Sequence, residues 1–185
     1  LDEDFRVTAL STFSNVRLLA EQVDKFKPKA VAIVDHKKVN SFKKYSKYMP
    51  KIFSTPLGTE ILAESGDVDI VFMAISGASA LNPLLAAIKA KKRVCLANKE
   101  AMVMAGEIIM QRAKKAKTDI IPVDSEHSAI FQCVNTNGIG NSISRIYLTG
   151  TGGSLWNVPK ANFSSVKISR VLKHPKWKMG KKITV

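Results

Sequence analysis

Acidic residues are missing from the last part of this 185-residue sequence. Residues 127–185 carry nine Lys and Arg and no carboxylate, and all 15 Asp and Glu lie before them. The formal net charge of +14 is therefore gathered toward one end. Either that end meets an anion, or its acidic partners belong to something outside the chain. Cysteine is almost absent. Cys95 and Cys133 each sit in an apolar run without a CxxC partner, so both are expected to be buried thiols in a reducing compartment, which disfavours a disulfide scaffold or cysteine-type zinc site. Ten Gly and seven Pro are too few for a linker or fibrous segment. No apolar run is long enough to span a membrane. What remains is globular: 45% hydrophobic residues in 20.3 kDa, room for one sizeable core and part of a second layer. The sequence starts Leu1-Asp2-Glu3 without Met and ends Lys182-Ile183-Thr184-Val185 inside what reads as a strand. It is expected to be a piece of a longer chain, and no targeting segment is visible in it.

The front of the chain alternates short β-rich runs with helical patterns. Residues 5–10 alternate as a strand. Ser14 is expected to cap a helix whose stripe is Val16, Leu19, Val23 and Phe26, ended by Pro28. Residues 30–34 form a strand, residues 36–48 a weaker helical period, and residues 54–56 a turn. A short helix at residues 60–64 stops at Gly66 in a left-handed cap. Residues 69–75, Asp69 followed by Ile-Val-Phe-Met-Ala-Ile, are an almost unbroken apolar run, which predicts a strand covered on both faces. Beyond the turn at residues 76–79 come a helix with Pro83 in its first turn, a strand at 93–97, a helix at 102–113 and a strand at 119–123. This rhythm predicts an α/β fold, a Rossmann-like parallel sheet with helices on both faces, followed by the start of an α+β catalytic domain. The boundary falls near Pro122, giving domains 1–122 and 123–185. After it come a helix capped by Asp124 or Ser125, a polar loop at 135–141, a strand at 143–148 and an irregular basic remainder.

Four segments carry candidate chemistry. In Pro122-Val123-Asp124-Ser125-Glu126-His127, an extended chain puts the carboxylates of Asp124 and Glu126 on one side. There they suit a hard cation such as Mg²⁺ or Mn²⁺. Equally, Asp124 caps a helix and Glu126 sits at its positive end. Asn98-Lys99-Glu100 lies where a strand gives way to a helix. Lys99 there is either a point charge for a phosphate or oxyanion, or half of an exposed turn pair. Thr149-Gly150-Thr151-Gly152-Gly153-Ser154 either turns backbone N–H groups toward an anion or is a surface turn. His174-Pro175-Lys176-Trp177-Lys178-Met179-Gly180 closes over an anionic ligand, stacks on a base or packs as a surface loop. His36 reads as surface. One absence bears on the cofactor. Residues 11–15, Ser-Thr-Phe-Ser-Asn, follow the first strand without glycine. Either the chain never bound a dinucleotide, or this is a second strand and the Gly-rich turn lies upstream.

Three of these segments, Leu96-Ala97-Asn98-Lys99-Glu100, Pro122–Gln132 and His174–Ile183, resemble the 1-deoxy-D-xylulose 5-phosphate reductoisomerase family in order and spacing, over essentially the whole chain. The resemblance implies an NADPH-dependent enzyme of non-mevalonate isoprenoid synthesis. It would rearrange its sugar phosphate and reduce the resulting aldehyde to 2-C-methyl-D-erythritol 4-phosphate. It implies Asp124 and Glu126 as two of three carboxylate ligands to Mg²⁺ or Mn²⁺. Lys99 and His174 join them as catalytic residues, and Ser125, Thr151, His174 and Trp177 meet the substrate. Asn15, Asn98, Lys99, Glu100 and Met179 face NADPH. It implies a homodimeric parent acting on a sugar phosphate without nucleic acid or membrane, in the cytoplasm or a plastid-type organelle. With the third ligand and the Gly-rich turn outside these residues, the 185-residue piece is expected to be inactive alone. The segment at residues 11–15 departs from the family's Ala-Gly-x-Asn, which leaves the grip on the NADPH 2′-phosphate open. The other readings are a different Rossmann-type NAD(P)-dependent oxidoreductase and a basic non-enzymatic anion- or nucleic-acid-binding domain.

Overall fold

The structure, a computed structural model, describes residues 4–135, 143–149 and 152–175. It falls into two compact units, residues 1–140 and 141–185.

The first unit is built from parallel strands joined by helices. Strands β1 (Ala9–Thr12), β2 (Ala30–Ile33) and β3 (Lys51–Phe53) form one ladder in that order; β4 (Ile70–Met73), β5 (Arg93–Leu96) and β6 (Ile120–Pro122) form a second. All four pairings are parallel, with Thr12 opposite Ile33 and Leu96 opposite Pro122. Each connection is therefore a crossover carrying a helix: α1 (Val16–Phe26), α2 (Val39–Tyr45) after a 3₁₀ turn at His36–Lys38, α3 (Gly58–Glu64), α4 (Leu81–Lys89) and α5 (Lys99–Ala116). α6 (Ser125–Asn135) leaves the last strand. The expected α/β class is present, and its strands are divided between two ladders.

Each ladder has its own core. Val16, Leu19, Ala20 and Val23 of α1 pack with Val31, Ile33 and Phe42. The stripe read from the sequence thus faces the first ladder, although Phe26 is only half-buried. Met73, Leu84, Ile88, Val94, Leu96, Ala101 and Ile109 form the second core. α3 touches both. Its first residue, Gly58, lies against Ala32 and Phe53, and Ala63 near its end belongs to the second core. Asn15, not Ser14, caps α1: its Oδ1 accepts from Leu18 N–H, and Thr12 Oγ1 accepts the Asn15 N–H. Lys27 ends the helix left-handed at φ 48°.

Several expectations are corrected. The first strand is residues 9–12, not 5–10, because β2 offers only four residues to pair with it. β3 was not expected. α3 ends on Ser65 at φ −55°, so Gly66 is not its left-handed cap. The apolar run at β4 is not covered on both faces, since Ile70 and Phe72 are 40% and 62% exposed on an edge strand. Cys133 is exposed on α6 and Cys95 half-buried, so the pair are not both interior thiols. His36 is exposed, as read.

In the second unit, the described residues 143–149 are exposed and form no strand, having no ladder partner among the described residues. A 3₁₀ stretch at Lys160–Ser165 leads to the short α7 (Ile168–Val171). The expected loop at 135–141 and terminal strand fall almost wholly outside the described residues.

Candidate active site

The carboxyl ends of β5 and β6, where open parallel sheets bind ligands, bring Lys99, Asp124, Ser125 and Glu126 together, with Asn98 and Glu100 on either side of Lys99. At the end of β5, Asn98 is 4% exposed and its side chain is fully used. Nδ2 donates to Ile75 O at 2.6 Å and Gly77 O at 3.1 Å, and Oδ1 accepts from Ala101 N–H at 2.7 Å. One amide thus caps α5 and ties its start to the turn after β4. That turn needs Gly77, which sits at φ 74°. Lys99, the first residue of α5, projects from this fixed point, and Glu100 follows half-buried.

Pro122 closes the neighbouring strand and Asp124 opens α6. The capping geometry is the one adopted: Asp124 O accepts from Ser128 N–H, and its Oδ2 lies 3.5 Å from His127 N. The extended arrangement is not seen, because Glu126 is already in the first helical turn. The two carboxylates nonetheless feel each other, as the Asp124 charge acts against ionisation of Glu126. Glu126 is still held below the usual carboxylate range, first by its own backbone N–H, then by Ser125 Oγ and the charge of Lys99. Ser125 Oγ donates to Glu126 Oε2 at 2.8 Å, and Lys99 Nζ lies 3.7 Å from the same oxygen. The pair is half-exposed, so its worth is alignment rather than stability.

His127 was not singled out as a site residue. Its Nδ1 meets Asp124 Oδ2 at 2.5 Å while the Asp124 side chain is only 13% exposed. A carboxylate three residues before a histidine at a helix start is the signal that marks this contact in the sequence. Asp124 and Glu126 give oxygen donors of the kind a hard cation takes. Among the described residues no group of three His, Cys, Asp or Glu is placed to hold a metal, so the pair fits as part of a ligand set.

The remaining candidates belong to other elements. Asn15 caps α1 at the first ladder. His174 belongs to the second unit, where its Nε2 lies 3.1 Å from Gly152 O; Gly152 is at φ 72° with the Trp156 ring where a Cβ would sit. Nearby, Ser154 Oγ donates to Val171 O at 2.6 Å. A cleft of about 450 Å³ in this unit is lined by Asn157, Asn162, Lys167 and Arg170 among others, and by none of the expected site residues. Thr151, Trp177 and Met179 lie outside the described residues. No helix among the described residues is long and apolar enough to cross a membrane.

A family model described as 1-deoxy-D-xylulose 5-phosphate reductoisomerase matches residues 1–106, and one for the C-terminal domain of the same enzyme matches residues 120–185. The reductoisomerase of Thermoanaerobacter sp. (strain X514) is 39% identical over 183 residues, covering 99% of this chain and 47% of the relative. The chloroplastic enzyme of Mentha piperita is 42% identical over 186 residues, 99% of this chain and 39% of the relative. A crystal structure of DOX-P reductoisomerase in complex with NADPH, fosmidomycin and magnesium superposes with a TM-score of 0.86 at 32% identity, over 99% of this chain and 48% of that one. The Zymomonas mobilis enzyme in complex with NADPH gives 0.83 at 32% identity, over 92% and 45%. The chain spans about half the length of the curated relatives it matches, or somewhat less. On this match across its length, the chain belongs to the 1-deoxy-D-xylulose 5-phosphate reductoisomerase family.

Proposed function

We propose that this chain is part of an NADPH-dependent enzyme that rearranges 1-deoxy-D-xylulose 5-phosphate and reduces the product to 2-C-methyl-D-erythritol 4-phosphate. The observation that carries this is the meeting of Lys99, Ser125 and Glu126 beside Asp124 at two adjacent strand ends. Family membership supports it, as does a relative solved with NADPH, fosmidomycin and magnesium. In this reading residues 1–122 hold the nucleotide and 123–185 begin the catalytic domain. The gap between the two family models, one ending at 106 and the other starting at 120, is what supports this division.

Asp124 and Glu126 would hold Mg²⁺ or Mn²⁺. Such an ion would supply Lewis acidity, offsetting negative charge on substrate oxygens. Lys99 adds a fixed positive charge beside those oxygens. Ser125, whose hydroxyl is already turned toward Glu126, moves its hydrogen bond to a substrate oxygen. His174, Thr151 and Trp177 meet the substrate, with Trp177 excluding water from the aldehyde. Asn15, Lys99, Glu100 and Met179 face NADPH, and Asn98 serves the same site by fixing the loop that carries Lys99. The parent acts as a homodimer on a sugar phosphate, without nucleic acid. Relatives from Mentha piperita and Oryza sativa are named chloroplastic, which supports a plastid-type compartment as the alternative to the cytoplasm.

The test is substrate-dependent NADPH consumption by the complete polypeptide carrying this chain. Asp124→Asn and Glu126→Gln should each cut it on the order of 100-fold or more. Asp119→Asn, on an exposed carboxylate 3.4 Å from Arg93, should leave it unchanged. Undiminished turnover in both site variants would remove Asp124 and Glu126 from the reaction.

A further inference from the structure

The first ladder has its own open carboxyl edge, and its charge is unusual. Beyond the last paired residues, Val34 N–H donates to Thr12 O at 3.1 Å and Asp35 N–H to Phe13 O at 2.9 Å. The segments Phe13-Ser14-Asn15 and Asp35-His36-Lys37-Lys38 therefore leave the sheet side by side. Ser14, Asn15, His36, Lys37 and Lys38 are all exposed. Neither lysine has an ion-pair partner among the described residues. Across residues 12–17 and 34–38 the single carboxylate is Asp35, and its Oδ1 accepts from the Lys37 N–H at 3.1 Å, capping the 3₁₀ turn. Asn15 spends its Oδ1 on α1, which leaves its Nδ2 as a donor on the same edge. The neighbouring cation, Arg17, faces Glu21 at 3.9 Å one turn along α1.

In sheets of this type, the 2′ position of a bound dinucleotide is read at a strand's carboxyl end. A carboxylate there selects the hydroxyl of NAD, and a cation accommodates the phosphate of NADP. β1 ends in Thr12-Phe13-Ser14-Asn15, with no carboxylate and no cation. The positive charge is one strand over. We propose that Lys37 and Lys38, on the turn after β2, together with the Asn15 amide after β1, form the subsite for the 2′-phosphate, so that the cofactor preference of this chain is set from the second strand end. This rests on the NADPH-dependent reading above. A phosphate monoester carries close to two negative charges at neutral pH, and two lysines on one short turn answer that charge without needing a fixed fork.

The experiment is nucleotide binding, measured by calorimetry on the complete polypeptide with NADPH, NADH, 2′,5′-ADP and 5′-ADP as probes. Lys37→Ala/Lys38→Ala should weaken NADPH and 2′,5′-ADP on the order of tenfold per lysine and leave NADH and 5′-ADP within twofold. Lys37→Arg/Lys38→Arg should restore most of the preference. Equal loss for NADPH and NADH, or an unchanged NADPH preference in the double alanine variant, overturns the subsite while leaving the enzyme reading intact. A wild-type protein that binds neither dinucleotide overturns both. Both lysines are exposed and make no side-chain bond among the described residues, and the NADH arm reports that the variant is still folded.

Discussion

At the scale of single residues, two side chains do more for this fold than their exposure suggests. The Asp24 carboxylate on α1 gathers three donors beyond α2: Ser46 Oγ at 3.0 Å and the backbone N–H groups of Lys47 and Tyr48 at 2.9 Å each. Those bonds, the Tyr48 amide foremost, hold it below its ordinary value of 3.8. A carboxyl depressed in the folded state adds stability that is fully present above 3.8 and is lost as pH falls through the lower folded value. Asp24→Asn should therefore lower the urea midpoint at pH 7, with the gap to wild type closing below pH 3.8. A gap independent of pH would assign the effect to shape rather than charge. Asn98 is the second. Asn98→Ala strips the cap from α5 and removes the donors to two half-buried carbonyls, a loss of roughly 1–3 kcal/mol in urea unfolding. Asn98→Asp keeps the cap acceptor but sets a carboxylate oxygen against the carbonyls of Ile75 and Gly77, and should cost at least as much as the alanine.

At the scale of elements, α5 gives a paired comparison. Ile109 is fully buried in the second core while Ile108 beside it is 52% exposed. Ile109→Ala should cost roughly 2–5 kcal/mol and Ile108→Ala under about 0.5 kcal/mol, read from urea midpoints at constant m-value. Helices of this kind were legible in advance. Val16, Leu19 and Val23 recur at helical spacing, and Pro28 fixes where the pattern must stop. Strands were harder. β3 is three residues, too short to show an alternation. At β4 an apolar run records hydrophobicity but not which neighbours arrive to cover it, so Phe72 was read as interior. The candidate site divides in the same way. Asp124, Ser125 and Glu126 are adjacent in sequence and could be read together, and the strand-end position of Lys99 followed from periodicity. The Asn98 clamp could not be read, because its acceptors at Ile75 and Gly77 lie more than twenty residues away and only the packing of α5 beside β4 brings them close.

At the scale of the whole molecule, the ligand set is the point. The described residues offer two carboxylates at the site and no group of three metal-binding side chains, and a hard cation takes six or more oxygens. We expect the isolated 185-residue chain to show no substrate-dependent NADPH loss with Mn²⁺, and a chain extended to the length of its relatives to show it. A rate from the short chain matching the long one would mean that the reaction needs no ligand beyond those present here.

α3 draws a last consequence from its position astride the two ladders. Gly58 packs where a Cβ would stand 3.3 Å from Ala32 Cβ and Phe53 O, while Ala63, five residues on, is sealed in the other core. Seven residues thus act as the rivet through which each half learns whether the other has melted. Forcing a Gly58→Val branch into that seam should loosen the joint rather than either half. In a scanning calorimeter, the variant's first unit should then melt in two steps where the parent sequence is expected to melt in one.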